Sequence, residues 1–430
     1  MHFMGKAVIV VGSGAREHAM AWKLAQSPIV ESIICAPGNP GTASLAENVA
    51  IGVLDLDRMV TLAESRAADL VVIGPEAPLA AGLADRLADR GIAVCGPSQN
   101  AARIESSKSW AKSIMDGAGV PTARSILVTD TTTLAEAIGQ FSFPLVIKAD
   151  GLTAGKGVII AGRRQEALDA GAGLLSGSLL GLRSASVVVE EFLVGNEVSM
   201  LALTDGATTV PLLPACDYKR AFDGDQGPNT GGMGAFSPAT EITPQLAYEI
   251  QRDILEPTVN AMRDAGAPMK GILYAGLMMT GDGPKVLEFN ARFGDPEAEV
   301  LLPLLESDLF ELLMATADGT LSSIEAPRWS NAKAVCVVLA SGGYPGSYPT
   351  GIPISGTGDD SIDSLVFHAG TTRDETGQLL TNGGRVLAVV GLGDTFEAAS
   401  ARAYARADQI TFDGKQFRTD IAARVKEHHE

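Results

Sequence analysis

Over the first hundred residues, short unbroken apolar runs alternate with glycine-rich breaks and helical stretches. Residues 7–11, 32–36, 70–73 and 92–95 are almost wholly apolar. Runs of that length predict strands buried on both faces, as in a parallel sheet. Each run ends in a glycine loop, at 12–14, 37–41, 74–78 and 96–98. Ligands of such sheets bind beyond the carboxyl ends of the strands, so the four loops are expected to cluster in space. A helical period follows the first loop at 17–25, and 99–142 reads as helical and connecting.

The period then changes. Strands are expected at 145–148 and 158–161, on either side of the loop in KADGLTAGKGV (148–158), and again at 187–192 and 198–203. Residues 273–279 and 285–290 predict a hairpin around Gly281-Asp282-Gly283, a good tight-turn sequence. Helices are predicted at 244–263 and 298–317. After a linker at 329–331, strands at 334–340, 366–369 and 385–390 and a helix at 395–410 predict a smaller α/β unit. The expected fold is therefore α/β and α+β multidomain, divided at 1–104, 105–326 and 327–430.

Length supports that division, because 430 residues exceed one ordinary core. The net charge of −18, with no basic stripe, argues against a nucleic-acid groove. A phosphate ligand would have to be held by local cations, backbone N–H groups and metal. Cys35, Cys95, Cys216 and Cys336 stand far apart with no CxxC pair, and read as small buried hydrophobes. No apolar run reaches membrane-spanning length, so a cytoplasmic protein without a membrane partner is expected.

The chemistry concentrates in a few segments. Glu288 and Asn290 lie two apart on a predicted strand and share one face, with Leu287 and Phe289 expected in a core on the other. Two hard oxygen donors followed by Arg292, Asp295 and Glu297 suggest a site for Mg²⁺ (or Mn²⁺) and phosphate. In 148–158, Gly151, Gly155 and Gly157 let the backbone approach oxygen atoms closely, and Lys148 and Lys156 supply charge. The spacing is not that of a P-loop, and a flap closing over phosphates is the better reading.

At 12–18, a strand, a glycine loop and a helix start suggest an anion seat, with Arg16 beside it. Glu17 stands where a dinucleotide fingerprint needs its third glycine, and His18 reads as structural. The run 187–193 suits a strand at a domain hinge whose backbone could meet an adenine edge, with Glu191 or Glu197 at the ribose. Residues 217–236, carrying Asp217, Lys219 and Arg220, read as an active-site loop unable to bury a core.

Seven motifs in order resemble the ATP-grasp superfamily, and within it the phosphoribosylamine–glycine ligase family. They are GxGxREHA at 12–19, PGNPGT at 37–42, GPEAPL at 74–79, KADGLTAGKGV, GPNTGGMGA at 227–235, EFNARFGDPE at 288–297 and HAGT at 368–371. Ser13 and Ala15 depart from the commoner residues of the first loop. The resemblance covers nearly the whole chain. It implies an N-terminal pre-ATP-grasp α/β domain for the phosphoribosyl substrate, an ATP-grasp core with a mobile lid at about 123–193, and a small C-terminal α/β domain. It implies ATP-dependent ligation of glycine to 5-phospho-β-D-ribosylamine, in de novo purine synthesis, by a monomer acting on small molecules.

The resemblance also implies roles. ATP would be held by Lys108, Lys148, Gly155, Lys156, Gly157, Glu190, Glu191, Phe192, Leu193 and Glu197. The metal would lie on Glu288 and Asn290. Gly14, Arg16, Asn39, Gly41, Glu76, Ala77 and Pro78 would hold the phosphoribosylamine, with Asp217 and Asp295 at the glycine ammonium. Arg292, Lys219 and Asp295 would be catalytic. Three rivals stay open from sequence: an ATP-grasp ligase for a different carboxylate, against which GPNTGGMG argues, a nicotinamide-dependent oxidoreductase, against which the missing third glycine argues, and a non-enzymatic binding module, which would not explain the paired Glu288 and Asn290.

Overall fold

A computed structural model describes residues 5–153, 157–179, 184–358, 361 and 363–426. The first apolar runs form a five-stranded parallel sheet, in the order Glu47–Asn48, Val30–Pro37, Lys6–Gly12, Leu70–Ile73, Val94–Cys95. Successive side chains leave on opposite faces. Val8, Val10, Cys35, Leu70 and Val72 pack with the helix Ala15–Leu24 on one side. Ile9, Val11, Ile34, Ala36, Val71 and Ile73 pack with the helices Leu56–Ser65 and Leu83–Ala88 on the other. Each such fully buried aliphatic side chain contributes roughly 1.5–3 kcal/mol, which is why these runs are almost wholly apolar. Strand order reverses between Lys6–Gly12 and Leu70–Ile73, so the crevice lies at the loops 12–14 and 74–76.

The segment expected to be helical and connecting holds more than helix. Ser125–Val128 is an edge strand and Thr131–Ile138 a helix capped by Asp130. That strand pairs with Val187–Glu191, which pairs with Leu145–Ala149 and then Val158–Ala161, all antiparallel. The helices Thr131–Ile138 and Arg164–Ser176 cover this sheet and give it a core of its own. The second of these helices was not expected; its weak amphipathicity hides it, since Ala and Gly form much of its buried face.

A third sheet runs Thr209–Pro211, Asn196–Asp205, Lys270–Thr280, Gly283–Asn290. The long helix expected at 244–263 contains a π turn at Gln251–Leu255. Pro257 lies just after it and has no N–H to continue the α ladder. The helix expected at 298–317 is broken into Glu297–Leu301 and Leu309–Asp318, the latter capped by Asp308.

The fourth sheet runs Cys216–Asp217, Gly234–Ser237, Lys333–Ala340, Arg385–Gly393, Ser364–His368. Its first two strands come from the segment expected to be a coreless loop. That expectation is corrected: Tyr218, Met233, Ala235 and Phe236 are buried, and Arg220–Phe222 with Gln226–Asn229 forms a hairpin. Buried residues in 217–236 are diluted by glycine and charge, so the stretch looks polar although half of it is core. All four cysteines are buried and free. Among the described residues no helix is long and apolar enough to cross a membrane.

Candidate functional site

The strand Gly283–Asn290 pairs with Lys270–Thr280 and carries a bulge, with Gly276 opposite Glu288 and Leu277 opposite Val286. Leu287 is the extra residue. The bulge rotates the pleat, so that Val286 and Phe289 both enter the main core. Leu287 therefore does not join Phe289 as expected; it packs with Ala123, Leu193 and Met278 in a small apolar cluster. Beyond the bulge, Glu288 and Asn290 share a face and are half-buried.

Cations converge on that face from two elements. Lys108 and Lys112 lie four apart on the helix Lys108–Ala118, whose N-terminus Ser107 caps. Burial lowers the pKa of Lys108, with Glu288 the largest opposing influence. Lys148 Nζ is 2.7 Å from Glu190 and donates to the Leu287 carbonyl at 2.9 Å. Lys112 Nζ is 3.0 Å from the other oxygen of Glu190. Burial pushes the Glu190 carboxyl up, but the two lysines outweigh it and hold it below its usual range. Both Glu190 oxygens are thus taken, and its side chain acts through the lysines. Asp150 accepts hydrogen bonds from Ser109 and Ser186 and anchors the base of the glycine loop. Gly155 and Lys156 lie outside the described residues; Gly157 pairs through its carbonyl with Ala149 N–H at 2.8 Å. Phe192 is exposed, while Leu193 is buried beside Leu287. Glu191 accepts the Arg124 N–H at 2.9 Å.

Arg292 sits two residues past Asn290 and bridges three elements. Its guanidinium is 2.9 Å from Glu105 and 3.7 Å from Glu76, and it donates to Asn290 Oδ1 at 3.2 Å. Burial raises the Glu105 pKa, and Arg292 is the largest influence against that rise. Glu105 was not singled out from sequence. It stands in a short, mostly polar helical turn, Arg103–Ser106, and nothing local marks it.

A second polar cluster lies beside the strand Gly283–Asn290. Lys219 Nζ is 2.7 Å from Glu197 and 4.0 Å from Asp217. Burial lowers the Lys219 pKa, but Asp217 and Glu197 outweigh it and raise it well above the ordinary value. Burial pushes Asp217 up to about 7, against the attraction of Lys219 and with the repulsion of Glu297 and Glu197. Glu297 Oε1 accepts from Tyr274 at 2.9 Å and Ser199 at 3.0 Å.

The N-terminal loops do meet, around Glu17. Its carboxylate accepts the Gly14 N–H at 2.6 Å and the Arg16 Nε–H at 2.6 Å. A Cβ on Gly74 would lie 2.0 Å from Glu17 Oε1, so a side chain there would displace the Glu17 carboxylate. At this helix start, where an anion seat is expected, the Gly14 N–H is thus taken by the chain's own Glu17. Arg16 is buried and donates to the Phe293 carbonyl at 3.1 Å. Asn39 is buried as well: its Oδ1 accepts from Gly41 and Thr42, and its Nδ2 donates to Ser13 and His368 carbonyls. Both side chains are thus engaged with the chain's own groups. Gly41 packs against His18 and His368, where a Cβ would come within 2.3 Å of the His18 ring. His18 Nδ1 accepts the His368 N–H at 2.8 Å, and burial pushes its pKa down to about 3, which fits a structural histidine. Glu76 and Ala77 open the helix Glu76–Ala80 half-exposed, with Pro78 buried behind them. Asp295 pairs with Arg385 at 2.9 Å, a partner the sequence did not suggest.

Glu288 and Asn290 are hard oxygen donors beside two lysines, which fits a divalent cation whose remaining ligands are phosphate oxygens. Among the described residues no group of three or more His, Cys, Asp or Glu could enclose a metal by itself. The fit is thus to a cation shared with a nucleotide.

Comparison with known proteins gives one pattern. Models of the phosphoribosylglycinamide synthetase N domain, ATP-grasp (A) domain and C domain match residues 6–105, 106–298 and 334–424. A phosphoribosylamine–glycine ligase of Nostoc sp. is 47% identical over 97% of this chain and 99% of its own length. That of Streptomyces coelicolor is 49% identical over 97% and 99%. The trifunctional purine biosynthetic protein adenosine-3 of Gallus gallus is 48% identical over 98% of this chain, which spans 42% of that longer protein. The crystal structure of phosphoribosylamine–glycine ligase from Thermotoga maritima matches with a TM-score of 0.85 and 36% identity, over 96% of this chain and 99% of that one. The biotin carboxylase domain of Hydrogenobacter thermophilus 2-oxoglutarate carboxylase, at 17% identity and a TM-score of 0.73 over 99% of each chain, shares the fold. With the three domain models in register along its length, this chain belongs to the phosphoribosylglycinamide synthetase family.

Proposed function

We propose that this protein joins glycine to 5-phospho-β-D-ribosylamine with ATP, giving glycinamide ribonucleotide, ADP and phosphate, through a glycyl phosphate. The observation that carries the reading is one face bearing Glu288 and Asn290 next to Lys108 and Lys148, with Arg292 at its end. A carboxylate resists amines because its oxygen leaves poorly. Phosphorylation makes that oxygen a good leaving group, and the site then needs charge neutralisation and positioning more than a strong base.

Lys108 and Lys148 hold the nucleotide phosphates, with Lys156, Gly155 and Gly157 above them. The hinge residues Glu190, Glu191, Phe192 and Leu193 frame the adenine, Leu193 by its apolar surface and Glu190 by orienting Lys148. Glu197 faces the ribose and orients Lys219. Mg²⁺ (or Mn²⁺) on Glu288 and Asn290 would neutralise phosphate charge. Arg292 stabilises the transferring phosphoryl group, and Asp217 holds the glycine ammonium with Lys219 beside it. Gly14, Gly41, Glu76, Ala77 and Pro78 line the acceptor side, held in place by Arg16 and Asn39, with Asp295 facing them. In this reading 1–104 binds the acceptor, 105–326 is the ATP-grasp unit with its lid at about 123–193, and 327–430 completes the site. The enzyme works as a cytoplasmic monomer.

Phosphate release with each substrate omitted in turn tests the reading. Release is expected only with ATP, glycine, phosphoribosylamine and a divalent cation together. Sustained release without the amine, or with a different carboxylate in place of glycine, contradicts it.

A further inference from the structure

Arg385 begins a strand of the fourth sheet and reaches out of it into the cleft. Its Nη1 donates to the Gly231 carbonyl at 2.6 Å and to the Asp295 carbonyl at 3.0 Å, and lies 2.9 Å from Asp295 Oδ1. The Gly231 N–H donates to the Tyr344 hydroxyl at 3.0 Å, from the same part of the chain. A Cβ on Gly231 would sit 3.0 Å from Arg385 Cζ, and one on Gly232 would sit 2.4 Å from Pro296 Cδ. The glycine turn, the Asp295–Pro296 turn and the guanidinium are therefore in direct contact. One terminal nitrogen of a planar cation ties two loops of the central region to the third domain.

This tie decides where Asp295 points. With Oδ1 on Arg385, Oδ2 lies 3.5 Å from where a Cβ on Gly14 would be. Ser13, next to Gly14, lines a cavity of about 540 Å³ between the 37–43 loop and the 369–373 segment, and Asn382 lines its far side. Glu299, the other buried carboxyl near Arg385, makes no hydrogen bond, and burial holds its pKa well above the usual range.

We propose that Arg385 is a positioning residue for amide formation, holding Asp295 so that its free oxygen meets the amine of the phosphoribosyl acceptor arriving through the Ser13–Asn382 cavity. The inference rests on the ligase reading above. In the step concerned, the amine lone pair attacks the acyl carbon of glycyl phosphate. The C–N bond forms, the C–O bond to phosphorus breaks, and its electron pair leaves with inorganic phosphate. The amine proton is passed to the departing phosphate. Asp295 accepts an N–H hydrogen bond and so aims the lone pair; it takes no net proton.

The test is steady-state kinetics of Arg385→Gln, Arg385→Lys and Tyr344→Phe in the full chain. R385Q should raise KM for phosphoribosylamine about tenfold and lower kcat by ~10–100-fold, with KM for ATP and glycine within about twofold of normal. R385K, which keeps charge but loses the planar guanidinium, should fall between. Y344F should raise KM for phosphoribosylamine by about two- to fivefold, and it carries the test alone if R385Q does not fold. Unchanged phosphoribosylamine kinetics in the folded variants, or equal damage to the ATP and glycine constants, overturns the proposal. The unsubstituted protein is the control: if it releases no ADP with the three substrates, the ligase reading itself has failed, and this inference with it.

Discussion

The nucleotide side of the cleft and the acceptor side are built on opposite plans. On the proposed nucleotide side, polar side chains stand on strands and a helix: Glu288 and Asn290 lie half-buried on one strand face, with Lys108 beside Glu288, and Lys148 is held between Glu190 and the Leu287 carbonyl. On the acceptor side the conspicuous polar residues turn inward. Glu17 takes the Gly14 N–H at the helix start, Arg16 binds Glu17 and Phe293, and Asn39 holds five backbone groups. What remains for a ligand there is backbone, small side chains and Asp295. The physical reason is geometry. A strand delivers alternate side chains to one face at fixed spacing, whereas three loops brought together at a sheet switch point need internal partners to stay together.

If the contrast holds, substitutions on the two sides should fail in different ways. Glu288→Ala is expected to lower divalent-dependent turnover by ~10³-fold or more, with the melting temperature nearly unchanged. Near-normal activity breaks the nucleotide-side assignment. Arg292→Ala should lower the chemical rate by ~10²–10³-fold, with a smaller effect on ATP affinity. It also leaves Glu105 buried without its cation, so a loss of stability that deepens as Glu105 ionises should accompany it. A pure KM effect would contradict the role. Asn39→Ala should destabilise the fold by ~1–3 kcal/mol, because buried N–H groups lose their acceptor. Loss of acceptor binding without loss of stability would return Asn39 to direct contact.

The smallest expected effect concerns pH. Burial raises the Asp217 carboxyl from its ordinary value of 3.8 to about 7. A carboxyl raised on folding favours the folded state below its unfolded pKa, and that contribution is lost as pH rises through the folded one. Thermal stability without substrates should therefore fall between about pH 4 and 7, and Asp217→Asn should flatten the fall. Glycine should offset it at neutral pH, since an ammonium favours the ionised carboxylate. An identical pH profile in the variant would remove Asp217 from this account.

Much of the site was legible because its chemistry is periodic or punctuated. Glu288 and Asn290 were readable from a two-residue strand spacing, and the four N-terminal loops from glycine after apolar runs. Glu105, Arg385 and the inward turn of Arg16 and Asn39 were not readable. Their meaning depends on partners hundreds of residues away in some cases, and nothing local marks a carboxylate that will face an arginine of another element. The bulge at Leu287 was equally hidden, because one extra residue changes the pleat without changing the apolar count. The helix Arg164–Ser176 was missed for want of a strong apolar stripe.

By itself, the amino-acid order determined the alternating strands, the loops at their ends, the hairpin with its oxygen donors and the family motifs. These follow from local propensities and side-chain spacing, which act over a few residues. Only the tertiary structure decided which charges face a ligand and which face each other. That choice is made by desolvation: a buried charge must find an opposite charge or a dipole, and which one it finds is settled by how distant segments pack.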